Sequence, residues 1–176
     1  MRPRKSRASA ADRPPLSRAD ARALALGWLA LRELSRAQVR QRLARRGVEA
    51  AVIDSILDDL VALGALDEAR LARAAARLET TIKGRGPART RARLKSLGLP
   101  SATVDAAVEA TLADVDLDAL LDRALEKRLR GLPPGRLDPA ATRRIVGALV
   151  RQGFAPGPVF ARLRKRGAEV PDETES

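Results

Sequence analysis

Arginine is the residue type in this chain with the most chemistry to offer. Arg36, Arg40, Arg42, Arg45 and Arg46 fall within twelve residues, RAQVRQRLARRG (Arg36–Gly47), around a thin apolar thread of Val39 and Leu43. A second version, ARTRARLKSLG (Ala88–Gly98), carries Arg89, Arg91, Arg93 and Lys95 beside Leu94. Smaller groups follow: Lys83 and Arg85 in the loop KGRGP, Arg143 and Arg144 in TRRIVGALV, and Arg162, Arg164, Lys165 and Arg166 in ARLRKRG. A guanidinium is a planar fork of donors that stays charged at any physiological pH, so it is no acid–base catalyst. It grips phosphate or carboxylate oxygens two at a time. The chemistry implied is anion recognition.

Rival chemistries are poorly supplied. With no Cys and no His, thiol nucleophiles, imidazole bases, disulfides and the usual zinc ligands are absent. Asp54 and Asp58 have the i, i+4 spacing of a Mg²⁺-binding pair, but aspartates opposite an Ile/Leu stripe read as a solvated face. GRGP lacks the length and the Lys-Ser/Thr ending of a phosphate loop. Trp28, Phe154 and Phe160 are the only aromatics, too few for gripping single strands by base stacking. Trp28 sits at helical spacing with Leu24 and Leu31, which suits core. The reading is a non-enzyme without cofactor or metal.

The charge balance agrees. The 176 residues carry a net charge of +12 and a pI near 11.4, which favours a polyanionic partner. Of 34 basic residues 29 are Arg, in an alanine-rich chain. Such usage reflects GC-rich coding in part, so some of these arginines are ordinary solvated charge. No apolar run approaches the roughly 18–20 residues of a membrane span, and MRPRKSRASAADRPPLS lacks an apolar signal core. We expect a cytoplasmic monomer with a disordered basic arm (1–18) and an acidic tail (168–176).

The elements that must position these side chains all show a helical period. Ser17 with Asp20 caps a first helix bearing Leu24, Trp28, Leu31 and Leu34. Ser35 and Gln38 form a capping box for the arginine helix, which Gly47 closes. Ile53, Ile56, Leu57, Leu60 and Leu63 mark a third helix ending at Gly64. Asp67 opens a helix with Leu71, Ala75, Leu78 and Ile82. Pro87 suits the first turn of a helix running to Leu97. Val104, Val108 and Leu112 mark the next. Asp116 opens Leu117, Leu120, Leu121, Leu125 and Leu129. After the break GLPPGRL, Asp138–Pro139 caps a helix bearing Ile145 and Leu149, and Val159 and Leu163 mark the last.

Gly47, Gly98 and Gly153 give the register, 51 and 55 residues apart. Four residues before each stands Leu43, Leu94 or Leu149, and one after each stands Val48, Leu99 or Phe154. Six after stands Ile53, Val104 or Val159, and ten after stands Leu57, Val108 or Leu163. The expected fold is all-α: three tandem three-helix repeats, 19–66, 67–115 and 116–167, stacked into an elongated, curved rod. Units this small bury too little apolar surface to stand alone.

Within the arginine helices, Arg36/Arg40, Arg42/Arg46, Arg89/Arg93 and Arg91/Lys95 are like charges at i, i+4, each costing about 0.2–0.5 kcal/mol. Two answers are open: an external polyanion, or acidic neighbours such as Asp54, Asp58 and Asp59 in the first unit and Asp105, Glu109 and Asp114 in the second.

LSRAQVRQRLARRGVEAAVIDSILDDLVALGALDEARLARA, GRGPARTRARLKSLGL and TRRIVGALVRQGF resemble the RecX family of RecA regulators over about residues 19–167. The shared pattern is a Ser-capped basic helix, an RRG stop, an Ile/Leu acidic helix and an Asp that opens the next helix. Departures are Leu71, where the family usually has Phe or Tyr, the alanine-rich LARAAARLE, and the long basic arm. The resemblance implies a non-catalytic inhibitor. Such proteins lie in the groove of the RecA–DNA filament, touch protein and DNA, and limit filament growth, ATP hydrolysis, strand exchange and cleavage of the SOS repressor. The basic residues named above would then be the filament-binding set, meeting single- or double-stranded DNA through phosphates. The alternative is a plain helix-turn-helix-like DNA-binding protein. It would need base-edge readers on its basic helix, where only Gln38 and Gln41 are available in the first unit and none in the second.

Overall fold

Gly47, Gly98 and Gly153 all adopt positive φ, between 77° and 101°, so the three predicted helix stops are real left-handed turns that favour glycine. The computed structural model describes residues 16–130 and 137–166. The basic arm before residue 16, most of GLPPGRL and the acidic tail lie outside the described residues. Among the described residues the structure is all helical, with no strand. The helices are α1 (Arg18–Leu31), α2 (Arg36–Ala44), α3 (Ala50–Ala62), α4 (Glu68–Arg77), α5 (Pro87–Ser96), α6 (Ser101–Ala113), α7 (Leu117–Leu129), α8 (Pro139–Gln152) and α9 (Pro156–Lys165), with a π-helical turn Leu78–Ile82 extending α4.

The caps form as their residue types dictate. Ser17 accepts from the Asp20 N–H. Ser35 and Gln38 satisfy each other's backbone N–H groups in a full capping box. Asp116 and Asp138 accept from Ala119 and Ala141.

The chain divides into two compact units, residues 1–67 and 68–176. In the first, α1, α2 and α3 pack on one another around Ala21, Ala25, Leu34, Val39, Leu43, Ile56 and Leu60. The second holds two apolar clusters. Leu71, Ala72, Ala76, Leu94, Val104 and Val108 form one between α4, α5 and α6. Leu120, Leu121, Leu125, Ile145, Leu149 and Leu163 form the other among α7, α8 and α9. All twelve residues at the four matched glycine offsets are buried. Each Leu at the fourth position before a glycine, Leu43, Leu94 and Leu149, is fully buried. Truncating one to Ala would cost about 2–5 kcal/mol.

Four predicted stripes need correction, those of α1, α4, α3 and α7. On α1 the fully buried positions are Ala21 and Ala25, while Leu31 is 86% exposed at the helix end. Small residues are what α1 buries in the first unit's core. Leu34 is buried, but from the connection after α1. The second correction concerns α4, where Leu78 and Ile82 are exposed and Glu79 and Thr80 are buried. The π turn inserts an extra residue into the hydrogen-bonding round, so the face rotates by one position. Leu63 at the end of α3 and Leu117 at the start of α7 are likewise exposed, each on the last or first turn where the helix runs past its packing partner.

Candidate polyanion-binding surface

Helices α2 and α3 run side by side, and their charges meet in pairs. Arg36 donates to Asp58 at 2.9 Å, and Arg40 pairs with Asp54. Arg18 adds Asp59 at 2.5 Å. Asp54 and Asp58, the candidate Mg²⁺ pair, are therefore each spent on an arginine. Among the described residues no group of three or more His, Cys, Asp or Glu is placed to hold a metal. The Arg40–Asp54 pair sits seven residues either side of Gly47, and Arg91–Asp105, at 3.3 Å, sits seven either side of Gly98. In the third copy these positions are Val146 and Phe160. Arg162 instead bridges Asp118 and Asp122, both at 2.7 Å, and Arg166 approaches Glu126 at 3.7 Å.

Other predicted residues stand apart from any carboxylate among the described residues. Arg42 lies over the Trp28 ring, 5.4 Å from its centroid, a cation–π contact that also keeps Trp28 in the first unit's packing. Arg45, Arg46, Lys95, Arg143, Arg144, Arg164 and Lys165 are exposed, and among the described residues none has an ion-pair partner. Gln38, one of two candidate base readers in the first unit, has its side-chain oxygen committed to the Ser35 N–H at 3.2 Å.

A more concentrated arrangement lies in the second unit. Glu79, carried inward by the π turn, has a side chain only 2% exposed. It takes Lys83 Nζ at 2.7 Å and Arg85 on its other oxygen, with Arg93 at 4.0 Å. Burial pushes the Glu79 carboxyl up, but the Lys83 hydrogen bond and the charges of Arg85 and Lys83 outweigh it and hold the group below its ordinary value. The loop that carries these cations is stitched to the end of α8. The Gly86 N–H donates to the Gln152 carbonyl at 3.0 Å, and that of Ala88 to Gly153 at 3.2 Å. Gln152 Nε2 donates back to the Gly84 carbonyl at 2.7 Å. A Cβ on Gly86 would collide with the Gly153 carbonyl, and one on Gly153 with the Arg89 backbone. Glycine at both positions is what permits the contact.

That contact opens a cleft of about 610 Å³, lined by Lys83, Arg85, Arg89, Lys127, Arg128 and Arg151. Three of these cations were named from the sequence. Lys127, Arg128 and Arg151 were not, because they come from α7 and α8, far along the chain. No local motif marks them. The indirect signal was the two glycines, each of which could have suggested a close backbone approach.

Comparison with known proteins gives a consistent picture. A family model described as "RecX, first three-helix domain" matches residues 21–60. The chain is 32% identical over 144 residues to the regulatory protein RecX of Mycobacterium avium, covering 80% of this chain and 81% of that protein. It is 36% identical over 155 residues to that of Leptothrix cholodnii, covering 88% and 92%. Among solved structures, the crystal structure of RecX from Lactobacillus salivarius superposes with a TM-score of 0.73 at 16% identity, over 85% of this chain and 96% of that one. This last likeness speaks for the fold alone.

Proposed function

Because this chain belongs to the RecX family of regulatory proteins, we propose that it restrains the RecA recombinase by binding along the groove of the RecA–DNA filament. It limits filament growth, and with it ATP hydrolysis, strand exchange and cleavage of the SOS repressor. The observation that carries this reading is the likeness to regulatory proteins over four fifths of the chain. The charge layout supports it: cations with no internal counter-charge suit a composite surface of acidic side chains and phosphates. The action is non-catalytic and needs no cofactor. The protein works as a cytoplasmic monomer; no described helix is long and apolar enough to cross a membrane. We read residues 19–66, 67–115 and 116–167 as three successive three-helix modules, and the basic residues of the second and third as the main contact set.

The test is RecA's DNA-dependent ATPase. Substoichiometric amounts of the purified chain should slow it progressively. An unchanged rate over a wide concentration range overturns the reading.

A further inference from the structure

A RecA–DNA filament presents two kinds of anion, carboxylates on protein and phosphates on DNA. We propose that the cleft between the 83–86 loop, α7 and α8 takes the second: it binds the sugar–phosphate backbone of a nucleic acid, independently of base sequence. The proposal rests on the filament reading for its setting.

Four observations carry it. First, the cleft concentrates charge without answering it. Lys83 and Arg85 share the single carboxylate of Glu79, Arg128 has only the Gln152 side-chain oxygen at 3.3 Å, and Arg89, Lys127 and Arg151 have no carboxylate among the described residues. Like charges gathered in this way oppose folding and are stabilised when a counter-charge arrives.

Second, the walls are preformed. The backbone bonds from Gly86 and Ala88 to the end of α8 hold loop and helix in place, so little ordering entropy is lost when a ligand binds. Gly147 contributes as well: a Cβ there would lie 3.2 Å from a terminal nitrogen of Arg151. Its absence gives that guanidinium room along α8.

Third, beyond the cations and Gln152 the lining is only Ala124 and Ala148. Protein partners are generally anchored by a buried aromatic or large apolar side chain, and these two methyl groups form no pocket for one. Phosphodiesters need only positive charge and N–H donors, which guanidinium forks supply two at a time. Fourth, Gln152, the one side-chain amide in the lining, is occupied at both ends, by Gly84 and by Arg128. That leaves no amide free to read an adenine edge, and the remaining cations meet every nucleotide through its phosphate.

The experiment is fluorescence anisotropy of labelled random-sequence oligonucleotides, one single strand and one duplex, without RecA. The Arg89→Glu/Arg151→Glu double variant should bind both about tenfold more weakly, and equally so for any base sequence. The plot of log affinity against log salt should become shallower by about 0.7 per lost contact for the single strand, or about 0.9 for the duplex. If charge reversal disturbs folding, as far-UV circular dichroism would show, Arg89→Gln/Arg151→Gln removes the same contacts without adding repulsion. Arg32→Glu in the first unit, an exposed residue outside both the cleft and the predicted binding set, should leave RecA-free binding near the parent value. Unchanged DNA affinity in folded cleft variants overturns the proposal. If those variants also lose ATPase inhibition, the cleft grips protein and the filament reading survives. Loss of DNA binding, with parent protein that never slows RecA, leaves the phosphate site standing and overturns the filament reading.

Discussion

The two units answer the same excess of arginine in different ways. In the first, the described residues hold eight arginines against seven carboxylates, and α2 and α3 zip their charges together through Arg36–Asp58 and Arg40–Asp54. In the second, the described residues hold twenty cations against ten carboxylates. Its densest group faces an open cleft over one buried glutamate. Arginine density along the chain is a poor guide to an available positive surface. What decides is whether the neighbouring helix carries carboxylates at the facing positions: α3 does so toward α2, and α7 toward α9, but toward the cleft α7 and α8 present Lys127, Arg128 and Arg151. The electrostatic surplus that could meet a polyanion is therefore largely a property of the second unit.

The glycine turns offer the sharpest way to break this comparison. Gly47 and Gly153 share register and positive φ, yet a Cβ on Gly47 meets nothing within 4 Å, whereas one on Gly153 meets the Arg89 backbone. We expect Gly153→Ala or Gly86→Ala to lower stability by about 3 kcal/mol or more, because backbone cannot yield as a side chain does. Gly47→Ala should cost about 1 kcal/mol, the left-handed conformation alone. Urea midpoints measured side by side check both, and equal losses would mean that the loop–α8 contact contributes nothing.

Carboxylates provide the next contrast. Glu79→Ala removes two charge-assisted hydrogen bonds from a buried site and should cost about 2 kcal/mol. Asp58→Ala removes an exposed pair and should cost about 0.5 kcal/mol or less. Acid separates them further. The folded-state pKa of Glu79 lies below its ordinary 4.5, so its stabilisation is complete above that pH and is lost as pH falls through the depressed value. Urea midpoints measured from neutral pH downward should therefore fall less steeply for Glu79→Gln than for the parent below pH 4.5. The smallest effect is expected in the repeated pairs. Arg40→Asp and Arg91→Asp should each cost about 0.5 kcal/mol, and Asp54→Arg and Asp105→Arg added to their respective partners should recover most of it. A coupling above about 1 kcal/mol at either pair would make the internal zip a stability device rather than a means of neutralising charge.

Much of this architecture was legible because it is local. Caps at Ser17, Ser35, Asp116 and Asp138, and the glycine stops, are written within four residues of where they act. The four offsets around Gly47, Gly98 and Gly153 named twelve positions, all buried. Failures came at helix ends, as at Leu31 and Leu63, and where the period itself changed. Leu78 and Ile82 fit a regular helix, but the π turn rotates the face and hands burial to Glu79 and Thr80, whose hydroxyl meets Thr90 at 3.2 Å. No stripe of apolar residues announces a π turn, because a buried carboxylate and a threonine pair stabilise the inward face.

By itself the amino-acid sequence determined the helices, their caps and stops, the thrice-repeated burial pattern and the sign of the charge. These follow from backbone propensity and from the hydrophobic effect acting at a fixed helical period. Only the tertiary structure decided which cations remain available. That depends on which helix faces which, and on whether two backbones can touch. Coulomb energy falls with distance through space, not along the chain, so Arg151 and Arg89 become neighbours only when Gly86 meets Gly153.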